Sequence, residues 1–154
     1  MRTLLLLGVL FVGCGPAHST WKVGCMNVEV PEDLIEAGHQ INYGNLENSA
    51  KLAQELLDRR YGDGEFCKRA ETITVRMMPK AWDCLGSPTG CQGEFIPMIG
   101  LVKVITGSAL LHEFIHVEET HLGISGTITH KDWDRNGQYL LAEEYERQTK
   151  PWWD

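Results

Sequence analysis

The chain has 154 residues, of which 43% are hydrophobic and 23% are charged, and these proportions are ordinary for one globular domain. They exclude a disordered tail and a membrane protein with several spans, and the formal net charge of −7 disfavours electrostatic binding to nucleic acid.

The N-terminus has the features of an export signal. Arg2 supplies a positive charge, the apolar run Leu4–Val12 is too short to cross a bilayer as a helix, and Gly13 precedes Cys14. The segment that ends at Cys14 resembles a bacterial lipobox, in which the cysteine is lipidated and becomes the new N-terminus. The alternative is an ordinary secretory signal that is cleaved near Gly13 or Ala17.

This N-terminus divides the chain into three parts. We predict a lipoprotein signal peptide over residues 1–13, a lipidated tether over 14–20 and a folded domain over 21–154. The protein would then be an exported bacterial lipoprotein that a lipid anchors in a membrane. Gly15 stands where the lipoprotein pattern has Asp for retention in the inner membrane, so we expect the outer membrane.

The other cysteines suit an oxidising compartment. Besides Cys14, four of the five cysteines remain, and an even number favours disulfides in a small exported domain. Cys84 and Cys91 flank a turn-rich hexapeptide, Leu-Gly-Ser-Pro-Thr-Gly, that can bring its ends together. We therefore predict a Cys84–Cys91 bond, which leaves Cys25 to pair with Cys67. A cysteine zinc site is the competing interpretation, but the sequence has no Cys-x-x-Cys pair.

Hydrophobic periodicity and turn residues predict the regular elements in chain order. They are a loop or helical turn over 31–44, a helix over 45–61, strands over 72–78 and 100–106, and a helix over about 109–122. Ser108 is the expected cap of the second helix. A last helix is predicted to start near Thr129, because Thr129 and Asp132 have the spacing of a capping box.

The second of these helices carries the most specific motif in the chain. His112-Glu113-Phe114-Ile115-His116 has the HExxH spacing, which places both imidazoles on one helix face, within reach of one zinc ion. Glu113 borders the same cleft and can accept a proton from a zinc-activated water. The alternative is a packing helix with two surface histidines, but the motif follows a predicted strand and lies within a capped, periodic helix.

Zinc needs a third protein ligand, and the candidates lie downstream. On a continuous helix His121 would point about 140° away from His116, so His121 is better explained as a residue at the edge of the core. His130 follows a glycine-containing turn that can bring it back over the helix. Glu144 falls within the apolar stripe of the last helix and could bind the metal or orient a ligating histidine, whereas Glu143 lies off that stripe.

These motifs resemble small zincin metallopeptidases. HExxH, a glycine-containing turn, and a third histidine closely followed by an aromatic residue (here His130 and Trp133) are found in Spartan-type and related short proteases. Segment 84–133 also resembles a group of short bacterial lipoproteins, and the resemblance covers about the last half of the chain. It implies zinc bound by His112, His116 and His130, with Glu113 as the general base.

Two patterns within the zincins bear on the third ligand. The metzincin pattern HExxHxxGxxH is not met, because the chain has no glycine between His116 and His121 and His121 comes one residue early. A gluzincin arrangement, in which a downstream glutamate binds the metal, stays open through Glu144 or Glu143.

We therefore predict an α+β fold, a small zincin-like domain whose HExxH helix packs against a short β-sheet and a C-terminal helix. The predicted activity is zinc-dependent hydrolysis of a protein or peptide substrate, and the strand over 101–105 is expected to pair with an extended substrate. No residue stands out as an oxyanion donor; Tyr139 and Tyr145 are the candidates, and the alternative is that both are packing residues. The rival is a lipid-anchored metal-binding or structural protein without turnover. Glu113 argues against this rival, since a structural site does not need that carboxylate.

Overall fold

The computed structural model describes residues 18–62, 64–84, 87–124, 130 and 132–153, and for residues 18, 84 and 87–89 the backbone alone. The predicted signal peptide and the lipidation site Cys14 lie outside these residues. Within the described part of the chain, every helix is too short or too polar to cross a membrane.

The fold is mixed α+β, as predicted. Seven strands are described: β1 (His18–Val23), β2 (Met26–Pro31), β3 (Thr74–Met77), β4 (Trp82–Cys84), β5 (Ser87–Cys91), β6 (Gly93–Ile96) and β7 (Leu101–Val104). The helices are α1 (Glu32–Glu36), α2 (Tyr43–Tyr61), α3 (Phe66–Ala70), α4 (Gly107–His121), α5 (Trp133–Asn136) and α6 (Gln138–Gln148), with a 3-10 turn at Pro97–Ile99.

The sheet has five strands in the order β1-β2-β3-β7-β6. The three inner strands run parallel, and each edge strand is antiparallel to its neighbour. The expectation that the strand at Leu101–Val104 pairs with a substrate is wrong, because β7 lies between β3 and β6 and both its edges are occupied. The free edge on this side of the sheet belongs to β6.

Alternating valines and methionines give the inner strands one buried face. Val28 and Val30 of β2, Val75 of β3, and Val102 and Val104 of β7 have no exposed surface. Their period of two is the spacing at which successive side chains reach the same face of a sheet. That face packs against the helices and forms the core.

Helix α4 lies at the centre of the molecule. It contacts β6 and β7 of the sheet and helices α2 and α6. Its apolar side chains are fully buried, namely Leu110, Leu111, Phe114 and Ile115. The predicted strand–glycine–helix order is confirmed, with α4 starting two residues earlier than expected, at Gly107. The burial of one broad apolar face fixes the direction in which the other residues of α4 point.

The predicted last helix is wrong in two respects. It is two helices, because Gly137 adopts the left-handed φ of 79° and separates α5 from α6. It also starts later than expected, at Trp133. Thr129 of the predicted capping box lies outside the described residues, and Asp132, which directly precedes α5, makes no side-chain capping bond.

The N-terminal third adds two strands that were not predicted. β1 begins at His18, inside the segment expected to be a tether, and pairs with β2 along its full length. The predicted Cys25–Cys67 disulfide is confirmed, with the two Cα atoms 5.2 Å apart. Cys91 is also disulfide-bonded, but the side chain of its predicted partner Cys84 lies outside the described part.

Candidate metal centre

Three histidine side chains converge beside α4. His112 and His116 lie one turn apart on this helix, and the Nε2 atom of His130 is 3.1 Å from Nε2 of His112 and 2.9 Å from Nε2 of His116. Two nitrogens that bind the same tetrahedral zinc at 2.0–2.1 Å lie roughly 3.3 Å apart. The three histidines are therefore close enough together to hold one metal ion.

An unusual backbone conformation and an indole ring hold His130 in place. His130 is the one described residue other than glycine with a positive φ, 53°, and its carbonyl accepts a hydrogen bond from the backbone N–H of Trp133. The Trp133 ring then packs against all three imidazoles, with centroids 4.8 Å from His112, 4.7 Å from His116 and 4.4 Å from His130. The indole therefore packs against one side of the three-histidine group.

Electrostatics favour the neutral form of two of these imidazoles, those of His112 and His130. Burial, with a smaller contribution from His130, lowers the pKa of His112 to about 4. Burial also lowers the pKa of His130, although the Glu119 carboxylate acts in the opposite direction. A neutral imidazole offers the lone pair that a metal needs. Three imidazole nitrogens form a donor set that suits a divalent transition metal, and zinc is one of these ions.

Glu113 is buried between α4 and the edge strand. It is 5% exposed, and its carboxylate accepts a hydrogen bond from the backbone N–H of Phe95. Burial raises the pKa of Glu113 to about 8, opposed by the Phe95 N–H and assisted by the negative charge of Glu94. A Cβ atom at Gly93 would lie 2.9 Å from Cγ of Glu113 and would collide with its carboxylate. Glycine at this position therefore makes room for the Glu113 side chain.

His112, His130 and Glu113 line one cleft of about 480 Å³. Residues from α4, β5, β6 and α6 line it: Gly90, Cys91, Gln92, Gly93, Ser108, Ala109, His112, Glu113, His130, Tyr139, Ala142, Glu143 and Glu146. The edge strand and α6 both contribute to its walls, and two of the three histidines open into it beside Glu113.

The edge strand offers unpaired backbone groups to the cleft. The N–H of Ile105 donates to the carbonyl of Gln92, which makes this pair a hydrogen-bonded pair of the antiparallel ladder. Because hydrogen-bonded and non-hydrogen-bonded pairs alternate, the backbone groups of Gly93 and Phe95 point away from β7. The N–H of Phe95 binds Glu113, and the other outward groups of these two residues lie along the free edge.

The other residues named from the sequence lie outside the group of three histidines. Glu144 pairs with Arg59 at 2.6 Å, and it does not belong to the metal-ligand group of the described residues. Glu143 lines the cleft, but it is exposed. His121 is the exposed last residue of α4 and not a residue at the edge of the core. Tyr145 is fully buried and its hydroxyl donates to the Ser49 carbonyl, whereas Tyr139 faces the cleft.

Sequence reasoning missed a second buried carboxylate, that of Glu119. This residue is 1% exposed and accepts hydrogen bonds from Nε1 of Trp133 at 3.2 Å, from the Tyr61 hydroxyl at 3.2 Å and from the Gln138 amide. Its place three residues after His116 was the available signal, because residues three apart share one side of a helix.

Comparisons of the chain with models of protein families, with curated proteins and with solved structures found no match.

Proposed function

We propose that this protein is a zinc-dependent peptidase. The observation that carries the proposal is the convergence of His112, His116 and His130 next to a cleft that the buried Glu113 also lines. Catalytic zinc sites have three protein ligands and keep a position for water or substrate, whereas structural sites have four. Among the described residues the group comprises these three histidines and no fourth ligand.

Zinc held by the three imidazoles would lower the pKa of a water molecule towards neutrality and polarise the scissile carbonyl. The chain's own residues would then move the proton. Glu113 takes it from the attacking water and delivers it to the leaving amine. A positive charge close to Glu113 favours its carboxylate form and so offsets the effect of burial on its pKa. The Phe95 N–H holds the carboxylate towards the cleft.

The free edge of β6 favours an extended peptide as the substrate. The outward backbone groups of Gly93 and the carbonyl of Phe95 can pair with a substrate strand, as in other cases of strand addition. Such pairing uses the backbone of the substrate and is tolerant of its side chains. It would place a scissile peptide bond between the edge strand and α6, next to the histidines.

Tyr139 is the proposed oxyanion donor. Its ring lies in the cleft, with its centroid 6.2 Å from that of His130 and 5.6 Å from that of Trp133. A phenol in this position can donate to the negative charge that develops on the carbonyl oxygen. Tyr145 cannot serve in this way because it is buried and its hydroxyl is bonded to Ser49.

The lipid anchor on Cys14 is part of the proposal. The Cys25–Cys67 disulfide supports an oxidising compartment, in keeping with export. β1 begins four residues after Cys14, and this linker spans at most about 14 Å, so an anchored domain would stay close to the membrane surface. The Cys14→Ser variant should be released from membranes on cell fractionation. If it fractionates like the wild type, the anchor is wrong.

The test of the function compares zinc content and proteolysis in purified protein. Wild type should contain one equivalent of zinc and cleave an unfolded protein such as casein. Glu113→Gln should keep the zinc and lose about 10²–10⁴-fold in rate, the contribution of general acid–base catalysis. Glu143→Gln is the matched control, because Glu143 also lines the cleft but has no assigned role in the reaction.

Three outcomes are distinct. Wild type that binds no zinc overturns the proposal. Wild type that binds zinc but cleaves no peptide favours the rival, a metal-binding protein without turnover. An equal loss of rate in Glu113→Gln and Glu143→Gln would remove Glu113 from the role of base.

A further inference from the structure

The carboxylate of Glu119 joins four parts of the fold behind the metal centre. Glu119 belongs to α4, and its three donors come from the end of α2 (Tyr61), from α5 (Trp133) and from α6 (Gln138). These partners are 58, 14 and 19 residues away in the chain. All three donors are neutral groups, and their hydrogen bonds stabilise the buried negative charge of Glu119.

The most consequential of these bonds is that to Trp133. Glu119 accepts a hydrogen bond from Nε1 at the edge of the Trp133 indole, at 3.2 Å. The same indole ring contacts the three imidazoles. The backbone of Trp133 also holds His130, because its N–H donates to the His130 carbonyl. Gln138, at the start of α6, is tied to the same carboxylate. The segment that carries His130 is thus attached to α4 at two points.

We propose that Glu119 is a positioning residue for the metal centre, since its bonds to Trp133 and Gln138 fix His130 and the described residues after it against α4, so that His130 meets His112 and His116. The inference rests on the proposed function, because it assigns His130 as a ligand. Glu119 itself contacts neither the substrate nor the metal. Its effect reaches the centre through Trp133.

The chemistry of the site requires a carboxylate at position 119. Its two oxygens accept hydrogen bonds from an indole N–H, an amide N–H and a phenol O–H. An ionised carboxylate has acceptors and no donor, so it suits a site with three donors. A glutamine of nearly the same size keeps one acceptor oxygen and turns an NH₂ group towards the other donors. Glu119→Gln therefore leaves at least one buried donor without an acceptor while the shape of the side chain is preserved.

The neighbouring Glu118 supplies the matched control. It belongs to the same helix and is equally buried, at 0% against 1% exposed for Glu119. Its partner is Arg69 of α3, on the side of α4 away from the histidines. Glu118→Gln is the same chemical change one residue away, and it disturbs a contact that does not involve residues 130–138.

Zinc affinity, measured by competition with a chromophoric chelator, is the first readout. Glu119→Gln should bind zinc about 10–100-fold more weakly, as expected when a residue that supports a ligand is lost, and its cobalt-substituted form should show an altered visible spectrum. Glu118→Gln should keep the affinity and the spectrum of the wild type. Trp133→Phe keeps an aromatic ring and removes the Nε1–H donor, and it should show a smaller loss. If Glu119→Gln does not fold, Trp133→Phe takes its place in the comparison with Glu118→Gln.

Hydrogen exchange on protein treated with EDTA is the second readout, and it does not depend on a metal. Amides of residues 133–141, with their rates referred to those of strands β3 and β7 in the same variant, should exchange faster in Glu119→Gln than in Glu118→Gln. The reference is needed because Glu118→Gln lowers the stability of the whole fold. Equal zinc affinities and equal exchange of this segment in the two variants would overturn the inference while leaving the peptidase proposal intact. A wild type that bound no metal would end the peptidase proposal, and the exchange rates would still decide whether Glu119 fixes the segment.

Discussion

Helix α4 buries three carboxylates, and two of them, Glu118 and Glu113, lie on different sides of the helix in different surroundings. On the side of α3, Glu118 is fully buried and forms an ion pair with Arg69, itself 7% exposed. On the side of the cleft, Glu113 is 5% exposed, and its carboxylate accepts a hydrogen bond from the backbone N–H of Phe95. Among the described residues, no cationic side chain forms a salt bridge with Glu113.

The comparison distinguishes two buried carboxylates. Glu118 has a cationic partner, and Glu113 has none among the described residues. Removing a carboxylate from water is costly unless a partner offsets the cost. Glu118 has that partner within the chain. Glu113 has no cationic partner among the described residues. Burial raises its pKa to about 8, and a cation bound by the adjacent histidines would supply a positive charge. A buried acid without its own counter-ion, beside three convergent imidazoles, is the pattern expected of a functional site.

The largest expected effect is on the cleft side. His112→Ala removes one of the two ligands that the helix places one turn apart, and zinc content measured by mass spectrometry should fall from one equivalent to background, together with activity. His121→Ala is the control, because His121 is exposed at the end of the same helix. It should keep both zinc and activity. Zinc retained in His112→Ala would show that the ion binds elsewhere.

The second prediction concerns the α3 side. Glu118→Gln leaves the buried Arg69 without its anion, and breaking such a pair costs about 3–5 kcal/mol of unfolding free energy. Urea denaturation measures that loss. The variant that remains folded should bind zinc as the wild type does. A loss below about 1 kcal/mol would mean that water reaches the pair and that the two sides of α4 differ less than proposed.

Replacing a glycine by alanine, which adds one methyl group, tests the comparison at two positions, Gly93 and Gly107. At Gly93 a Cβ would collide with the Glu113 carboxylate, which can swing aside, whereas at Gly107 it would lie 2.9 Å from Cε2 of the buried Trp152 ring. Gly93→Ala should keep zinc and stability and lose up to about 10²-fold in rate, because the base is displaced. Gly107→Ala should keep its rate per folded molecule and lose about 1–3 kcal/mol of stability.

Rate assays and urea denaturation on both glycine variants measure the two effects. The expected result is a crossover, with activity lost in one variant and stability lost in the other. If both variants lost stability alone, Gly93 would be a packing residue and the position of the Glu113 carboxylate would not limit the reaction.

Local periodicity explains what the sequence could predict. The spacing of His112 and His116 is a property of any α-helix, so their shared face and the place of Glu113 next to them follow from the motif. Strand β2 could also have been predicted, since Met26, Val28 and Val30 alternate with polar residues. The free edge of the sheet could not, because strand order depends on crossovers that no local pattern records.

The third ligand and its support depend on contacts distant in the chain. His130 reaches the centre because its backbone is left-handed, with a φ of 53°. The residues next to it in the chain do not predict this conformation. Glu119 has donors up to 58 residues away. Glu144 was a candidate because it lies within an apolar stripe, but its partner Arg59 is 85 residues away. A charged residue on such a stripe can therefore have a partner on another helix.

The smallest expected effect is that of Glu144→Gln, which decides between the two candidates for the third ligand. The side chains of Arg59 and Glu144 are 55% and 34% exposed, and a pair screened by solvent to this extent contributes about 0–1 kcal/mol. Zinc affinity should be unchanged, because the ion pair holds the Glu144 carboxylate towards α2. A loss of zinc as severe as in His116→Ala would make Glu144 a ligand and demote His130. Chelator competition on Glu144→Gln, His130→Ala and His116→Ala gives the answer: both histidine variants should lose zinc and the glutamate variant should keep it.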